Sequence, residues 1–129
     1  MNKKVLILGS VLGLLAVVIG AFAAHGLKPK ITASAMQSFE TGVRYQMYHA
    51  FLLLLVGNME VLKVKSKKII LYLVFTGMLL FSGSIYLLAT NSLTGFDFKV
   101  IGFVTPLGGL LLISAWLVML TYIVKRSKN

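Results

Sequence analysis

Four uncharged apolar stretches follow one another along the chain, and they limit its fold more than any other feature. They cover residues 5–24, 47–59, 69–90 and 100–124. A helix rises about 1.5 Å per residue, so roughly 20 apolar residues are needed to cross about 30 Å of hydrocarbon. The second stretch is short, but a helix that extends through the polar residues before Tyr45 reaches that length. The sequence therefore predicts a protein whose solvent is the lipid bilayer.

Composition agrees with this interpretation and limits the number of domains. Hydrophobic residues make up 58% of the chain and charged residues 12%, which is outside the range of ordinary soluble domains. With 129 residues and short connections, there is no room for a separate soluble domain. We predict one integral membrane domain over residues 1–129, an all-α four-helix transmembrane bundle with spans at about 5–25, 43–62, 69–90 and 100–124.

The segment before the second span is more polar but keeps a helical pattern. Ile31, Ala35, Phe39 and Val43 recur every four residues along one stripe. Ser34 with Gln37 has the spacing of a capping box. These features predict an amphipathic helix at about residues 32–42, lying on the outer membrane surface and running into the second span.

The distribution of basic residues predicts the orientation of the bundle. If the chain crosses four times, nine of its 13 Lys and Arg residues lie on one side: Lys3, Lys4, Lys63, Lys65, Lys67, Lys68, Lys125, Arg126 and Lys128. The positive-inside rule places that side, with both termini, in the cytoplasm, where the basic rim attracts anionic lipid headgroups. The cations are not interleaved with aromatic residues, so we expect no nucleic-acid partner.

The N-terminus has a competing interpretation as a signal peptide. Lys3 and Lys4 precede the apolar run, and Ala21-Phe22-Ala23 resembles a cleavage site. However, the run exceeds the roughly 7 to 15 residues usual for such a segment, which favours a retained first span. The mass of the intact protein distinguishes the two.

Small residues recur at four-residue spacing in the first span. The pairs are Gly9 with Gly13 and Ala16 with Gly20. Such spacing lets two helices approach closely in lipid. Packing within the molecule is the simpler interpretation, and self-association into a homo-oligomer is the alternative.

Polar side chains of all four spans fall at one level in the outer half of the membrane. Counted from the inner ends at about 1.5 Å per residue, His49 and Ser82 lie about 20 Å deep, and Thr105 lies further out. Polar groups in hydrocarbon are costly unless they are paired, which predicts that they face one another. The predicted pocket comprises His25, Tyr45, Gln46, His49, Ser82, Ser84, Tyr86 and Thr105. The alternative is that these groups only join helices through hydrogen bonds.

Pro106, Gly108 and Gly109 lie at the same level in the fourth span. They predict a break in that helix. Broken helices form ion or substrate sites in transporters, but they also occur in structural bundles.

Catalytic and metal-binding motifs are not evident in the sequence. The chain has no cysteine, which excludes thiol chemistry. His25 and His49 do not have the spacing of a zinc motif, and no nucleophile elbow or phosphate loop occurs. Glu60 is expected to pair with Lys63 at the surface. We therefore expect no catalytic residues, no metal and no cofactor, and a protein that is not an enzyme.

Four ordered motifs carry a resemblance to a known family. They are Gly20-Ala21-Phe22-Ala23-Ala24-His25-Gly26-Leu27, Tyr45-Gln46-Met47-Tyr48-His49-Ala50, Phe81-Ser82-Gly83-Ser84-Ile85-Tyr86 and Thr105-Pro106-Leu107-Gly108-Gly109, with Trp116 beyond. The chain resembles the small bacterial membrane proteins of the domain of unknown function 423 family, which are related to eukaryotic transmembrane protein 256. Ala23 and Ala115 stand where that family tends to have glycine. The resemblance implies a four-span protein of the bacterial cytoplasmic membrane and supplies no reaction.

The sequence favours one function and leaves a second open. The favoured function is a noncatalytic membrane protein whose outer pocket binds a lipid headgroup, a small polar ligand or a partner protein. The alternative is a channel or transporter for protons or small solutes, in which His49 titrates near neutrality and Pro106 gates.

Overall fold

The computed structural model describes residues 1–94 and 102–127, with side chains through Lys125. Its principal helices are α1 (Asn2–Phe22), α2 (Ala33–Asn58), α3 (Val64–Met78), α4 (Ser84–Ala89) and α5 (Val104–Ser127). π-Helical turns at Ala23–Leu27 and Leu79–Gly83 extend α1 and join α3 to α4, and short 3-10 turns follow at Lys28–Lys30 and Asn91–Leu93. Asp97, Lys99 and the predicted start of the fourth span at Val100 lie outside the described residues.

The helices confirm the all-α class predicted from the sequence. Three segments are long and apolar enough to cross a membrane, namely Asn2–Lys30, Val64–Ala89 and Val104–Lys125. The remaining helix, α2, is 26 residues long and less apolar. The segment predicted as an interfacial helix and the second predicted span therefore form one uninterrupted helix.

α2 begins two residues earlier than the predicted capping box. Its N-cap is Thr32, whose Oγ1 accepts a hydrogen bond from the Ala35 N–H over 3.1 Å. This bond satisfies one of the first four backbone N–H groups, which have no partner within the helix. The expected Ser34–Gln37 box is therefore wrong, because Thr32 already supplies the capping oxygen.

Two apolar cores lie at opposite ends of the bundle. The larger core, which includes Val5, Val56 and Val74, lies at the end that carries Met1, the α2–α3 connection and the last turns of α5. We call this end the terminal face. The smaller core, which includes Leu27 and Phe39, lies toward the opposite end, the distal face. Along α2, the polar residues Gln46 and His49 fall between the two cores.

Glycines allow two close helix approaches. A Cβ atom added at Gly9 of α1 would lie 3.0 Å from the Ala50 carbonyl oxygen of α2. One added at Gly108 of α5 would lie 2.4 Å from the Phe81 backbone nitrogen. The small residues of the first span therefore serve packing within the molecule, as the simpler interpretation expects, and self-association stays a prediction.

The expected break at Pro106 is wrong, because α5 runs without interruption from Val104 to Ser127. Pro106 is its third residue. Proline is tolerated in the first helical turn, where the backbone N–H has no partner within the helix. Gly108 and Gly109 follow inside the continuous helix, where Gly108 is the residue that lets α5 approach the π-helical turn at Phe81.

Candidate functional site

Gln46 joins three helices at the centre of the bundle. Its side chain is 5% exposed, and Nε2 donates a hydrogen bond to the Leu12 carbonyl of α1 over 2.9 Å. A carbonyl can only accept, so Oε1 faces the other way and accepts from the Tyr86 hydroxyl over 2.7 Å. Both ends of the amide are therefore paired, and α1, α2 and α4 are connected through one side chain.

Gly42 makes room for Tyr86 to reach Gln46. Helical side chains lean toward the N-terminus of their own helix, so the Tyr86 ring extends from α4 toward the terminal face. On its way it passes the backbone of Gly42, where an added Cβ would lie 2.8 Å from Tyr86 Cε1. The same ring packs on Phe39, with 4.8 Å between ring centroids.

His49 joins α2 to α5. The Trp116 indole N–H donates to His49 Nε2 over 3.1 Å, so Nε2 must act as the acceptor. Nδ1 then carries the proton and donates to the Tyr45 carbonyl over 2.7 Å. His49 is 4% exposed, and both of its ring nitrogens are used. A proton added at Nε2 would face the indole N–H and break the bond between the two helices.

Ser82 lies within the π-helical turn and Ser84 directly follows it. With Gln46, Tyr86, His49 and Thr105 they form a group that we call the polar layer. Ser82 donates to the Gly42 carbonyl of α2 over 2.7 Å. Ser84 donates to the carbonyls of Leu80 and Phe81 in the π-helical turn, so its oxygen accepts from the Thr105 hydroxyl of α5. These bonds tie the third apolar segment to α2 on one side and to α5 on the other.

Two predicted site residues lie apart from this layer. The His25 side chain is exposed in the π-helical turn at the end of α1, and no hydrogen bond joins it to the other site residues. Tyr45 is 41% exposed, and its ring packs against Tyr48 and Phe81 with centroids 5.5 Å and 5.2 Å away. The structure thus brings together Gln46, Tyr86, His49, Ser82, Ser84 and Thr105 as paired groups. Their role in binding a ligand stays a prediction.

A cavity of about 340 Å³ opens beside the polar layer at the distal face. We call it the distal cavity. Hydroxyl groups and apolar side chains share its wall, which includes Thr32, Ser34, Ser38, Ile85, Leu88 and Thr105. Thr105 is the predicted site residue that it contains. Its volume is at the small end of ligand pockets, which hold about 300–1,000 Å³.

A second cavity, of about 580 Å³, lies at the terminal face between the start of α1, the end of α2 and the start of α3. We call it the terminal cavity. Its lining includes Asn2, Asn58, Glu60, Lys63 and Lys67. The expected Glu60–Lys63 ion pair does not form between these side chains. The described part of the chain also contains no group of three His, Asp or Glu side chains that could hold a metal ion.

Trp116 and Lys67 are two structurally important residues that the sequence argument missed. The signal for Trp116 was available, because an indole N–H within an apolar span needs an acceptor. The sequence predicts Lys67 at the basic rim of the membrane, but its side chain is only 4% exposed. It precedes Ile70, Leu71 and Val74 at helical spacing, and all three are buried, so the buried stripe of α3 extends back to Lys67.

Comparison with known proteins gives the family of the chain. The model of the family described as "Protein of unknown function (DUF423)" matches residues 19–109. The chain is 39% identical over 125 residues to UPF0382 membrane protein YwdK of Bacillus subtilis, covering 95% of this chain and 98% of the relative. It is 37% identical over 117 residues to a UPF0382 membrane protein of Haemophilus influenzae, covering 91% and 90%.

A third relative comes from another bacterium. UPF0382 membrane protein SSP2132 of Staphylococcus saprophyticus is 38% identical over 117 residues, covering 91% of this chain and 93% of the relative. No solved structure matches the chain significantly. The family model covers α2, α3 and α4 completely, and the alignments with the three relatives cover at least 90% of each relative. The chain therefore belongs to the DUF423 family of membrane proteins of unknown function.

Proposed function

We propose that this membrane protein is noncatalytic and binds an amphiphile, with a lipid headgroup as the best candidate, in the distal cavity. The observation that carries the proposal is the mixed wall of that cavity. Ser34 and Ser38 contribute hydroxyls from α2, and Ile85 and Leu88 contribute apolar surface from α4. Hydroxyls suit a polar headgroup, and the aliphatic side chains suit the first methylenes of an acyl chain.

The polar layer supports this proposal as a scaffold. Its buried groups satisfy one another, so they hold α2, α4 and α5 in a fixed arrangement around the cavity. Thr105 links the two features, because its hydroxyl bonds Ser84 while the residue lines the cavity. A small polar ligand or a partner protein would use the same hydroxyl-lined wall.

The packing of the inner half argues against the alternative of a proton or solute pathway. Between the polar layer and the terminal face, Leu52, Leu53 and Val56 of α2 are at most 1% exposed and belong to the larger apolar core. Polar groups that conduct protons or solutes need a continuous wet path, and a packed apolar layer interrupts it.

We also propose an orientation. With both termini in the cytoplasm of a bacterial cell membrane, the basic terminal face meets the anionic leaflet and the distal cavity opens outward. The support is the sequence bias of Lys and Arg, which the positive-inside rule relates to orientation.

Native mass spectrometry of the full chain released from membranes tests the binding proposal. We expect a retained lipid on the wild-type protein. Ser38→Phe fills the distal cavity and should remove it, whereas Thr76→Phe adds the same ring at an exposed position of α3 and should not. Equal lipid retention in all three proteins would overturn the proposal.

Liposome flux separates the proposal from transport. We expect proton flux through liposomes that contain the wild-type protein to equal that of empty liposomes. Flux above this baseline that falls in His49→Ala would instead support the channel or transporter.

A further inference from the structure

The terminal cavity holds a buried lysine at its edge. Lys67 is 4% exposed, although a charged side chain loses favourable hydration when it leaves water. Its Nζ donates to Asn2 Oδ1 over 2.8 Å. An ammonium group has three N–H donors. Among the described residues, this amide oxygen is the one partner of Nζ, and no carboxylate forms an ion pair with it.

The start of α3 faces the same cavity. Lys63 is the N-cap of α3, its side chain makes no capping bond, and both Lys63 and Val64 line the cavity. The nearby hydroxyl of Ser66 donates back to the Lys63 carbonyl over 2.8 Å. The first N–H groups of a helix lack partners within the helix, and the helix dipole makes that end favourable for an anion.

Charge around the cavity is predominantly positive. Lys63 and Lys67 line it, and Lys65 and Lys68 lie beside them on the first turns of α3. Glu60 also lines the cavity and opposes an anion, but it is exposed and its charge is screened by water. The amides of Asn2 and Asn58 add neutral hydrogen-bonding groups.

The position of the cavity suits a group at the membrane surface. It lies where the apolar segment Val64–Ala89 begins. Val64, which lines the cavity and is 64% exposed, gives it an apolar side chain at that position. The phosphates of phospholipids lie at this boundary between the hydrocarbon and the aqueous phase.

We propose that the terminal cavity binds a phosphate group, with Lys67 as its buried cationic contact and the start of α3 as its backbone contact. The phosphate is that of an anionic phospholipid headgroup or free inorganic phosphate, which share this chemistry. The site is separate from the distal cavity, and neither proposal depends on the other.

Native mass spectrometry of the full chain in detergent tests the site with phosphatidylglycerol, phosphatidylcholine and inorganic phosphate as probes. Lys67→Met should weaken binding of whichever probe the wild type binds by about tenfold, because one hydrogen bond to a charged group is lost. Lys68→Met makes the same change in net charge at an exposed neighbour, and we expect an effect below about twofold.

A second variant keeps the test valid if Lys67→Met fails to fold. Asn2→Asp leaves Lys67 in place and puts a carboxylate at the atom that it already contacts. The new ion pair should neutralise the ammonium and weaken binding as Lys67→Met does, while helicity by circular dichroism is unchanged. Lys67→Arg keeps the charge and should retain most of the binding.

The outcomes separate the two phosphate sources. Binding of phosphatidylglycerol above phosphatidylcholine, lost in Lys67→Met and Asn2→Asp, supports a lipid headgroup. Lys67-dependent binding of inorganic phosphate without a preference between the lipids supports free phosphate. Equal effects of Lys67→Met and Lys68→Met, or no binding of any of the three probes to the wild type, would overturn the site.

Discussion

The indole N–H of Trp116 on α5 donates to His49 Nε2 on α2 over 3.1 Å, with the two rings nearly perpendicular at 78°. This contact joins residues 67 positions apart in the sequence. Because the indole can only donate, it also fixes which nitrogen of His49 carries the proton. One hydrogen bond therefore determines both a helix contact and the tautomer of the histidine to which the transport alternative gives a proton-transfer role.

Trp116→Phe should destabilise the protein by removing that donor. Hydrogen bonds between membrane helices contribute about 0.6 kcal/mol on average and up to about 1.7 kcal/mol, and we expect a loss in this range. Unfolding in detergent followed by circular dichroism measures it. In a His49→Leu background the same substitution should cost almost nothing, because the acceptor is already gone. An equal cost in both backgrounds would show that ring packing, not the hydrogen bond, matters.

Gln46→Leu should cost more than Trp116→Phe. It removes the bonds to the Leu12 carbonyl and the Tyr86 hydroxyl together, and leaves that half-buried hydroxyl without its acceptor. We expect about 1–3 kcal/mol in the free energy of unfolding. Gln37→Leu makes the same chemical change at an exposed position of α2 and should be close to neutral. Similar losses in the two variants would contradict the bridging role of Gln46.

The sequence predicted the level of the polar layer better than its pairing. Helix rise places Gln46, His49, Ser82 and Thr105 in the outer half, and the structure brings all four into one layer. Counting residues gives the position along a helix axis but not the rotation of each helix about its axis. The π-helical turn at Leu79–Gly83 changes that rotation locally, and it leaves no mark in a hydropathy pattern.

Counting residues predicts the positions of His25 and Pro106 less well, because both lie near the ends of helices. His25 lies 13 residues beyond Leu12, whose carbonyl bonds Gln46, so it is about 20 Å further along α1 than the polar layer, and its side chain is exposed. The apolar stretch begins before Pro106 and therefore predicts that this residue lies inside a span, whereas α5 begins at Val104. Proline within an apolar run marks a helix start as readily as a break. Apolar length therefore indicated the helices well, but their first and last turns depend on local backbone geometry.

Gly108→Ala should disrupt the contact between α5 and the π-helical turn. Its Cβ would lie 2.4 Å from the Phe81 backbone nitrogen, and backbone atoms cannot give way as a side chain can. Overpacking of this kind costs about 1–3 kcal/mol. Gly109→Ala is the matched control, because its Cβ would meet Phe81 Cδ1 at an ordinary 3.7 Å. Thermal unfolding in detergent should rank Gly108→Ala clearly below both Gly109→Ala and the wild type.

Gly9→Ile tests whether the small residues of α1 pack within the molecule or mediate self-association. A Cβ at Gly9 already approaches the Ala50 carbonyl to 3.0 Å and Leu53 Cβ to 3.1 Å, so a larger side chain should push α1 from α2 and lower stability. The oligomeric mass, measured by light scattering during size exclusion, should not change. A wild-type oligomer that dissociates in Gly9→Ile while the subunit stays folded would assign this face to self-association instead.

The absence of cysteine from the chain makes the orientation directly measurable. Single cysteines at Lys30 and Lys65 probe opposite ends of the bundle, since Lys30 follows α1 at the distal face and Lys65 lies in the first turn of α3. Both side chains are exposed. If the positive-inside rule applies, a membrane-impermeant maleimide should label Lys30→Cys in intact cells, and Lys65→Cys only after permeabilisation. The reverse pattern would place the terminal face outside, and it would remove the anionic cytoplasmic leaflet as the source of lipid for the terminal cavity.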